Sequence, residues 1–135
     1  MTGYSQRPLI DKLGIKPEAR TIILRAPAGY LDLLPELPER AQLATRLVGL
    51  FEVMQYFTTS AEQLSAVLPN LMRHLRSDGM LWICWTKQTS PLHTGLNENM
   101  VRKLGLEAGL VDVKVASLTD DWSGLKFVYR LADRS

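Results

Sequence analysis

Read for its pattern of apolar and polar positions, the chain divides into segments of two different periods. Leu64, Val67, Leu68, Leu71, Met72 and Leu75 recur at i, i+3, i+4, i+7, i+8 and i+11, which is a single stripe along one helix. Ser60 with Gln63 opens that helix as a capping box, the serine oxygen taking a free backbone N–H of the first turn. Pro69 sits inside the stripe. It removes one backbone donor and predicts a bent helix that runs on to Asp78-Gly79. A second helix is predicted from Asn97 as cap, through Ala108, to a stop at Gly109. A short one between residues 8 and 14 has Ser5 as its cap and Gly14 as its end.

Between these helices lie segments with strand character. Residues 21–24 form a first strand, 41–48 a weak candidate and 50–58 (LFEVMQYFT) a stronger one. The run MLWICW at 80–85 is apolar almost throughout, as expected of a strand covered on both faces, and is therefore central. Residues 87–96 read as a loop. Val111, Val113 and Val115 alternate with Asp112, Lys114 and Ala116, and a last strand over 125–131 follows after a turn, so the chain ends in a β-hairpin. A short helix is predicted at 28–34, stopped by Pro35 and Pro38. Strands separated by helices imply parallel crossovers. The expected fold is α/β, a Rossmann-like three-layer sandwich with a mostly parallel sheet and an antiparallel C-terminal hairpin, and residues 1–135 make one domain.

Composition narrows the functional classes. Hydrophobic residues make up 46% and charged residues 22%, ordinary for a globular domain. The net charge of +2 is spread over both halves of the chain, so no basic tail supplies a nucleic-acid footprint. No apolar run approaches the roughly 18 residues of a membrane span. Charged residues stand near the N-terminus where a secretory signal would be apolar, so a cytoplasmic location is expected. Cys84, alone inside LWICW, reads as a buried structural thiol, and the cysteine and histidine spacing offers no metal site.

Two segments, LGIKPEARTIIL at 13–24 and LRSDGMLWI at 75–83, resemble class I S-adenosylmethionine-dependent methyltransferases around their first and fifth strands. With GYS at 3–5, LGIKP at 13–17, APAGY at 26–30 and WSGLKFV at 122–128, the chain more closely resembles a bacterial domain-of-unknown-function family of small proteins with a methyltransferase-like core. The resemblance implies a truncated version of that fold. It also implies a cofactor loop of pattern D-x-G-x-G-x-G after the first strand. Setting the last glycine at Gly29 puts Pro27 and Arg25 at the other two and Ile23 at the acidic position. Proline offers no N–H, and a side chain at Arg25 fills ground that a close ligand needs. Residues 41–48 hold no acid for a ribose, only Arg46. About 25 residues separate the first strand from Phe51, against roughly 30 for a full βαβ unit, so one unit is missing.

These observations favour a binding or interaction module with a degenerate cofactor loop, no cofactor and no assigned catalytic residue, since fold does not fix function. One alternative is a divergent S-adenosylmethionine-dependent methyltransferase. Another is an anion or nucleotide binder using Arg25 and Lys87, the first as a fork and the second as a point charge. In open α/β sheets ligands collect outside the carboxyl ends of the strands, which places Arg25, Pro27, Gly29, Tyr30, Thr58, Thr86 and Lys87 among the candidates. Trp122, in a predicted tight turn into the last strand, could stack on a ligand ring or cap the core. Asp120 and Asp121 read as turn residues, His74 and His93 as surface histidines. The hairpin edge leaves room for a homodimer.

Overall fold

The computed structural model describes residues 9–34 and 42–134. Helix α1 (Leu9–Leu13) leads into β1 (Arg20–Leu24), a 3-10 turn (Leu31–Leu33), β2 (Gln42–Ala44) and β3 (Phe51–Phe57). Then come α2 (Ala61–Arg73), β4 (Leu75–Thr86), α3 (Glu98–Ala108), β5 (Leu110–Ser117), β6 (Trp122–Tyr129) and a closing 3-10 turn (Leu131–Asp133). The sheet order is β2-β1-β3-β4-β6-β5. The first four strands run parallel, and β6 is antiparallel to both β4 and β5. The expected α/β sandwich is therefore the observed one, with α1 on one face of the sheet and α2 with α3 on the other. The last strand of the hairpin inserts beside β4, and β5 takes the edge.

Helix α2 shows why its sequence starts where it does. Ser60 Oγ accepts the Gln63 N–H at 3.1 Å. The glutamine side chain turns to Thr58, whose hydroxyl donates to Gln63 Oε1 at 2.9 Å, and Thr58 Oγ1 accepts the Ser60 N–H at 3.1 Å. The apolar stripe puts Leu64, Leu68 and Leu71 fully into the core. Each such burial stabilises by about 1.5–3 kcal/mol before chain entropy is counted. The helix passes through Pro69 but ends at His74, several residues short of the expected Asp78-Gly79. Leu75 is a strand residue, register partner of Phe51, and its place in the 3.6-residue stripe is a coincidence of spacing. Helix α3 follows its prediction, with Asn97 Oδ1 accepting from Met100 N at 3.0 Å and Gly109 left-handed at φ 105°.

Three expectations change between β1 and β3 and in the hairpin. The helix predicted at 28–34 shrinks to the 3-10 turn, because Pro27 and a left-handed Gly29 hold the preceding residues in a tight turn. Its proposed stops, Pro35 and Pro38, and the Ser5 cap lie outside the described residues. The weak strand at 41–48 reduces to the three residues of β2. No α-helix joins β1 to β3 among the described residues, in line with the short spacing. Finally, β6 starts at Trp122, so Trp122-Ser123-Gly124 are strand residues and the turn lies earlier, around Thr119–Asp121.

The core has two parts, divided by the sheet. Against α2 and α3 pack Ile22, Met54, Tyr56, Leu81, Ile83, Leu125 and Phe127. Against α1 and the turn after β1 pack Val53, Phe57, Trp82, Cys84 and Trp122. The Trp82 indole N–H donates to Leu13 O at 3.0 Å, which fixes the end of α1 on the central strand. Gly105 lets α3 lie directly on β6, since a Cβ there would fall within the Phe127 ring. Gly105→Ala is expected to lower stability by about 1–3 kcal/mol through overpacking, although alanine is the better helix former. Urea unfolding of the two proteins checks this, and an equal or higher midpoint for the variant would contradict the packing.

Candidate functional site

The carboxyl edge of the parallel strands is where the chain places its candidates. The order reverses between β1, whose next strand lies on one side, and β3, which lies on the other. At that switch point β1 runs into Arg25, Ala26, Pro27, Ala28 and Gly29. Arg25 is left-handed at φ 60° and Gly29 at φ 81°. A left-handed backbone costs a residue with a Cβ about 1–2 kcal/mol, so the turn holds Arg25 in a conformation that glycine would adopt freely. A Cβ placed on Gly29 would meet no heavy atom within 4 Å. Gly29 therefore opens onto free space.

Two clefts flank this turn. One, of about 460 Å³, is lined by Pro27, Gly29, Tyr30, Leu92, Asp121 and Trp122 among others. The other, of about 270 Å³, runs from Ala26 to Gly29 and ends at Leu31 and Asp32. A third cleft, of about 520 Å³, lies between the end of β4 and the start of α3, lined by Trp85, Lys87, Gln88, Asn97, Asn99 and Ser123.

Tyr30 does not stand in the cleft as a free hydroxyl. It is 2% exposed, and its oxygen accepts from Gln55 Nε2 at 2.7 Å. Its ring meets Phe57 edge-on at 4.7 Å, and Phe57 meets Trp122 at 5.1 Å, so three aromatic rings link the turn after β1 to the hairpin. Burial pushes the Tyr30 hydroxyl well above the ordinary tyrosine range, against the opposing pull of the Gln55 hydrogen bond. Gln55 also reaches Cys84 Sγ at 3.4 Å, and burial likewise raises the Cys84 thiol. Tyr56, next to Arg25, is raised by burial, with the guanidinium pulling the other way.

The remaining candidates separate. Thr58 is buried and engaged in the start of α2. Thr86 is buried at the end of β4, and its hydroxyl oxygen has no hydrogen-bond partner. Lys87 Nζ donates to Ser117 Oγ. Lys87 lines the cleft beside α3, and Arg25 is not among the residues lining the three clefts. Trp122 forms part of the wall of the largest cleft on the β1 side and covers the core beneath it. The sequence passed over Asp32 and Leu92, which reach the site only through the 3-10 turn and the loop after β4. That loop is tied across the edge by Thr94 Oγ1, which donates to Thr59 O at 2.6 Å. Among the described residues no three His, Cys, Asp or Glu side chains gather to hold a metal, and no helix is long and apolar enough to cross a membrane.

Comparison with solved structures places the fold. The chain is similar to magnesium protoporphyrin IX methyltransferase from Synechocystis PCC 6803, with TM-score 0.60 and 14% identity over 90% of this chain and 74% of that one. It is also similar to a SAM-dependent methyltransferase from Aquifex aeolicus, with TM-score 0.58 and 12% identity over 92% and 89% of the two chains. The ribosomal protein L11 methylase from Lactobacillus delbrueckii subsp. bulgaricus matches with TM-score 0.56 and 16% identity over 90% and 75%. No family model and no curated protein matches the chain. At these identities the likeness is one of fold, and the fold is that of a truncated class I methyltransferase.

The ground beside Gly29 is open and two clefts adjoin it, but the acids that the resemblance implies for an adenosyl cofactor are absent from the corresponding positions. Ile23 occupies the acidic position of the first strand, and Thr45 and Arg46 follow β2 where an acid would take the ribose. The carboxylates within the clefts are Asp32 on one side and Asp120 and Asp121 on the other.

The buried hydroxyl and thiol make the alkaline side of the stability curve informative. The unfolded chain releases protons near pH 9 from Cys84 and near pH 10 from Tyr30, while the folded chain keeps them. Stability is therefore fully present below about pH 9 and falls as pH rises beyond it. Tyr30→Phe should reduce that decline, and should also cost about 1–3 kcal/mol at neutral pH by leaving the Gln55 amide with only its weak contact to Cys84 Sγ. Chemical denaturation between pH 7 and 11 measures both effects.

Proposed function

We propose that the protein is a divergent S-adenosylmethionine-dependent methyltransferase that holds its cofactor at the carboxyl edge of β1, β3 and β4, mainly through side chains. The observation that carries this reading is the turn after β1. It keeps two left-handed residues, one of them the strained Arg25, and leaves open space beside Gly29 at the switch point of the sheet. Backbone strain that is kept rather than relaxed clusters at ligand sites. The structural neighbours support the same reading, since the three named above are all methyltransferases and the Synechocystis structure holds bound SAM.

In this reading the chain supplies binding and orientation. Asp32, or Asp120 and Asp121 across the larger cleft, offer acceptors for ribose hydroxyls or the ligand's ammonium. Trp122 gives an apolar wall. When bound, S-adenosylmethionine would supply a methyl group on a positively charged sulfur. The finer placement in a bacterial family of small proteins rests on the motifs at 3–5, 13–17, 26–30 and 122–128, and a cytoplasmic location on the charged residues near the N-terminus.

A second reading, a binding module without catalysis, draws on Ile23 and on the missing acid after β2. The two separate by experiment. In thermal unfolding and calorimetry, S-adenosylhomocysteine at 100 times its dissociation constant should add about 2.7 kcal/mol, a shift of several degrees. Gly29→Ala should remove most of that shift while costing only about 1–2 kcal/mol of stability, because the new methyl meets no protein atom. Binding followed by transfer of a labelled methyl group to a component of a cell extract supports the enzyme; binding without transfer supports the module. Absence of any shift at saturating concentrations of both S-adenosyl compounds would sink the cofactor reading.

A further inference from the structure

Away from the carboxyl edge, the face of the sheet that carries α1 gathers lysines. One row of register partners crosses it: Gln55 beside Trp82, Trp82 beside Lys126, and Lys126 beside Lys114. Lys126 and Lys114 stand directly opposite each other on antiparallel strands, where side chains come within about 5 Å at Cβ and like charges destabilise. The Lys114 ammonium lies 5.9 Å from the centre of the Trp82 ring, which keeps it over the sheet face. The Leu13 carbonyl bonded to Trp82 brings the end of α1 to the same place, with Gly14 packed on Met80 and Lys16 following. Lys12 closes one side, its ammonium donating to Ser117 O at 2.8 Å.

Among the described residues, Lys16, Lys114 and Lys126 make no ion pair. Lys16 lines a hollow together with the carboxylates Glu52 and Asp78, and Glu18 follows it in the same turn. Asp78 is held by Arg76 at 3.1 Å, and Glu52 Oε1 accepts the Arg20 N–H at 3.4 Å. Asp112, next to Lys114 along β5, is held by Arg102 at 2.9 Å. The half-buried Lys126 is lowered from the ordinary lysine range, first by burial and then by the charges of Lys114 and Lys16.

We infer that Lys114 and Lys126 form a binding site for a phosphate-bearing small anion on the α1 face of the β5–β6 hairpin, separate from the carboxyl-edge clefts. A multiply charged phosphate group offers acceptor oxygens to several ammonium groups at once and turns a repulsive pair into two attractive ones. The edge position of β5 leaves the approach to the exposed Lys114 open.

The test uses the full chain purified without phosphate. Thermal unfolding and calorimetry are run with sodium pyrophosphate against sodium chloride at equal ionic strength, for the wild type, Lys114→Gln and Lys126→Met. Pyrophosphate is expected to raise the wild-type midpoint by several degrees beyond chloride. Each substitution should weaken that binding at least about tenfold, and should itself raise the midpoint in phosphate-free buffer by relieving the repulsion. Gly29→Ala should keep the full pyrophosphate shift, which separates this site from the cofactor reading. A larger shift with ADP than with pyrophosphate would assign the site to a nucleoside diphosphate, and an equal one to the free anion; both uphold it. The same midpoint gain in the wild type and both lysine variants, or no gain over chloride in the wild type, would overturn it.

Discussion

The two-sided burial of β4 is the constraint to which every other element answers. From Leu81 to Thr86 no residue is more than 5% exposed, so both faces of the strand must be covered. One cover is made by α2 and α3, whose apolar stripes and small Gly105 let them settle on Leu81, Ile83 and Phe127. The other is thinner. A short α1, pinned by the Trp82 indole, and the turn after β1, pinned by Tyr30 and Gln55, share a face without a full-length helix among the described residues. Tyr30 compensates for the missing helix by filling the sheet face with its own ring.

That substitution ties core and site together. Tyr30 follows Gly29 directly, so the residue that closes the core also anchors the turn beside the open clefts. The polar group of Tyr30 is satisfied inside the protein, and its neighbours Phe57 and Trp122 carry the contact across to the hairpin. A ligand that pressed on Gly29 would bear on this aromatic line. The unpartnered hydroxyls of Thr86 and Thr21 and the free Gln55 Oε1 lie in the same buried surroundings of the sheet.

Charge is arranged on different terms. Ion pairs join Arg102 to Glu98 and Asp112, and Arg76 to Asp78, at half-exposed or exposed sites where such pairs contribute little. Among the described residues, Lys114 and Lys126 make no ion pair. With a net charge of only +2 over the chain, their grouping is a matter of folding rather than of composition. Lys114 and Lys126 stand face to face only through the antiparallel register of β5 and β6.

The sequence by itself determined the elements whose signals are local. Ser60 and Asn97 mark helix starts because their side chains can satisfy backbone donors within three residues, and Gly14 and Gly109 mark ends because they turn left-handed without cost. The unbroken apolar run at 80–85 determined that its strand would be covered on both faces, and hence the α/β layering. The loss of glycines and acids around Arg25, Pro27 and Ile23 was likewise legible. What only the tertiary structure decided depends on partners distant in the chain. Leu75 left the α2 stripe for β4 because pairing with Phe51 outweighed helical spacing. Trp122 became a strand residue because Thr86 lies opposite it. The sheet order put β3 between the strands that end at Arg25 and Lys87, and the hairpin gave Lys87 a partner in Ser117. Tyr30 turned from a candidate ligand contact into a buried pillar through Gln55. Local sequence reports which backbone groups can be satisfied nearby; it carries no record of which side chains the sheet register will place side by side.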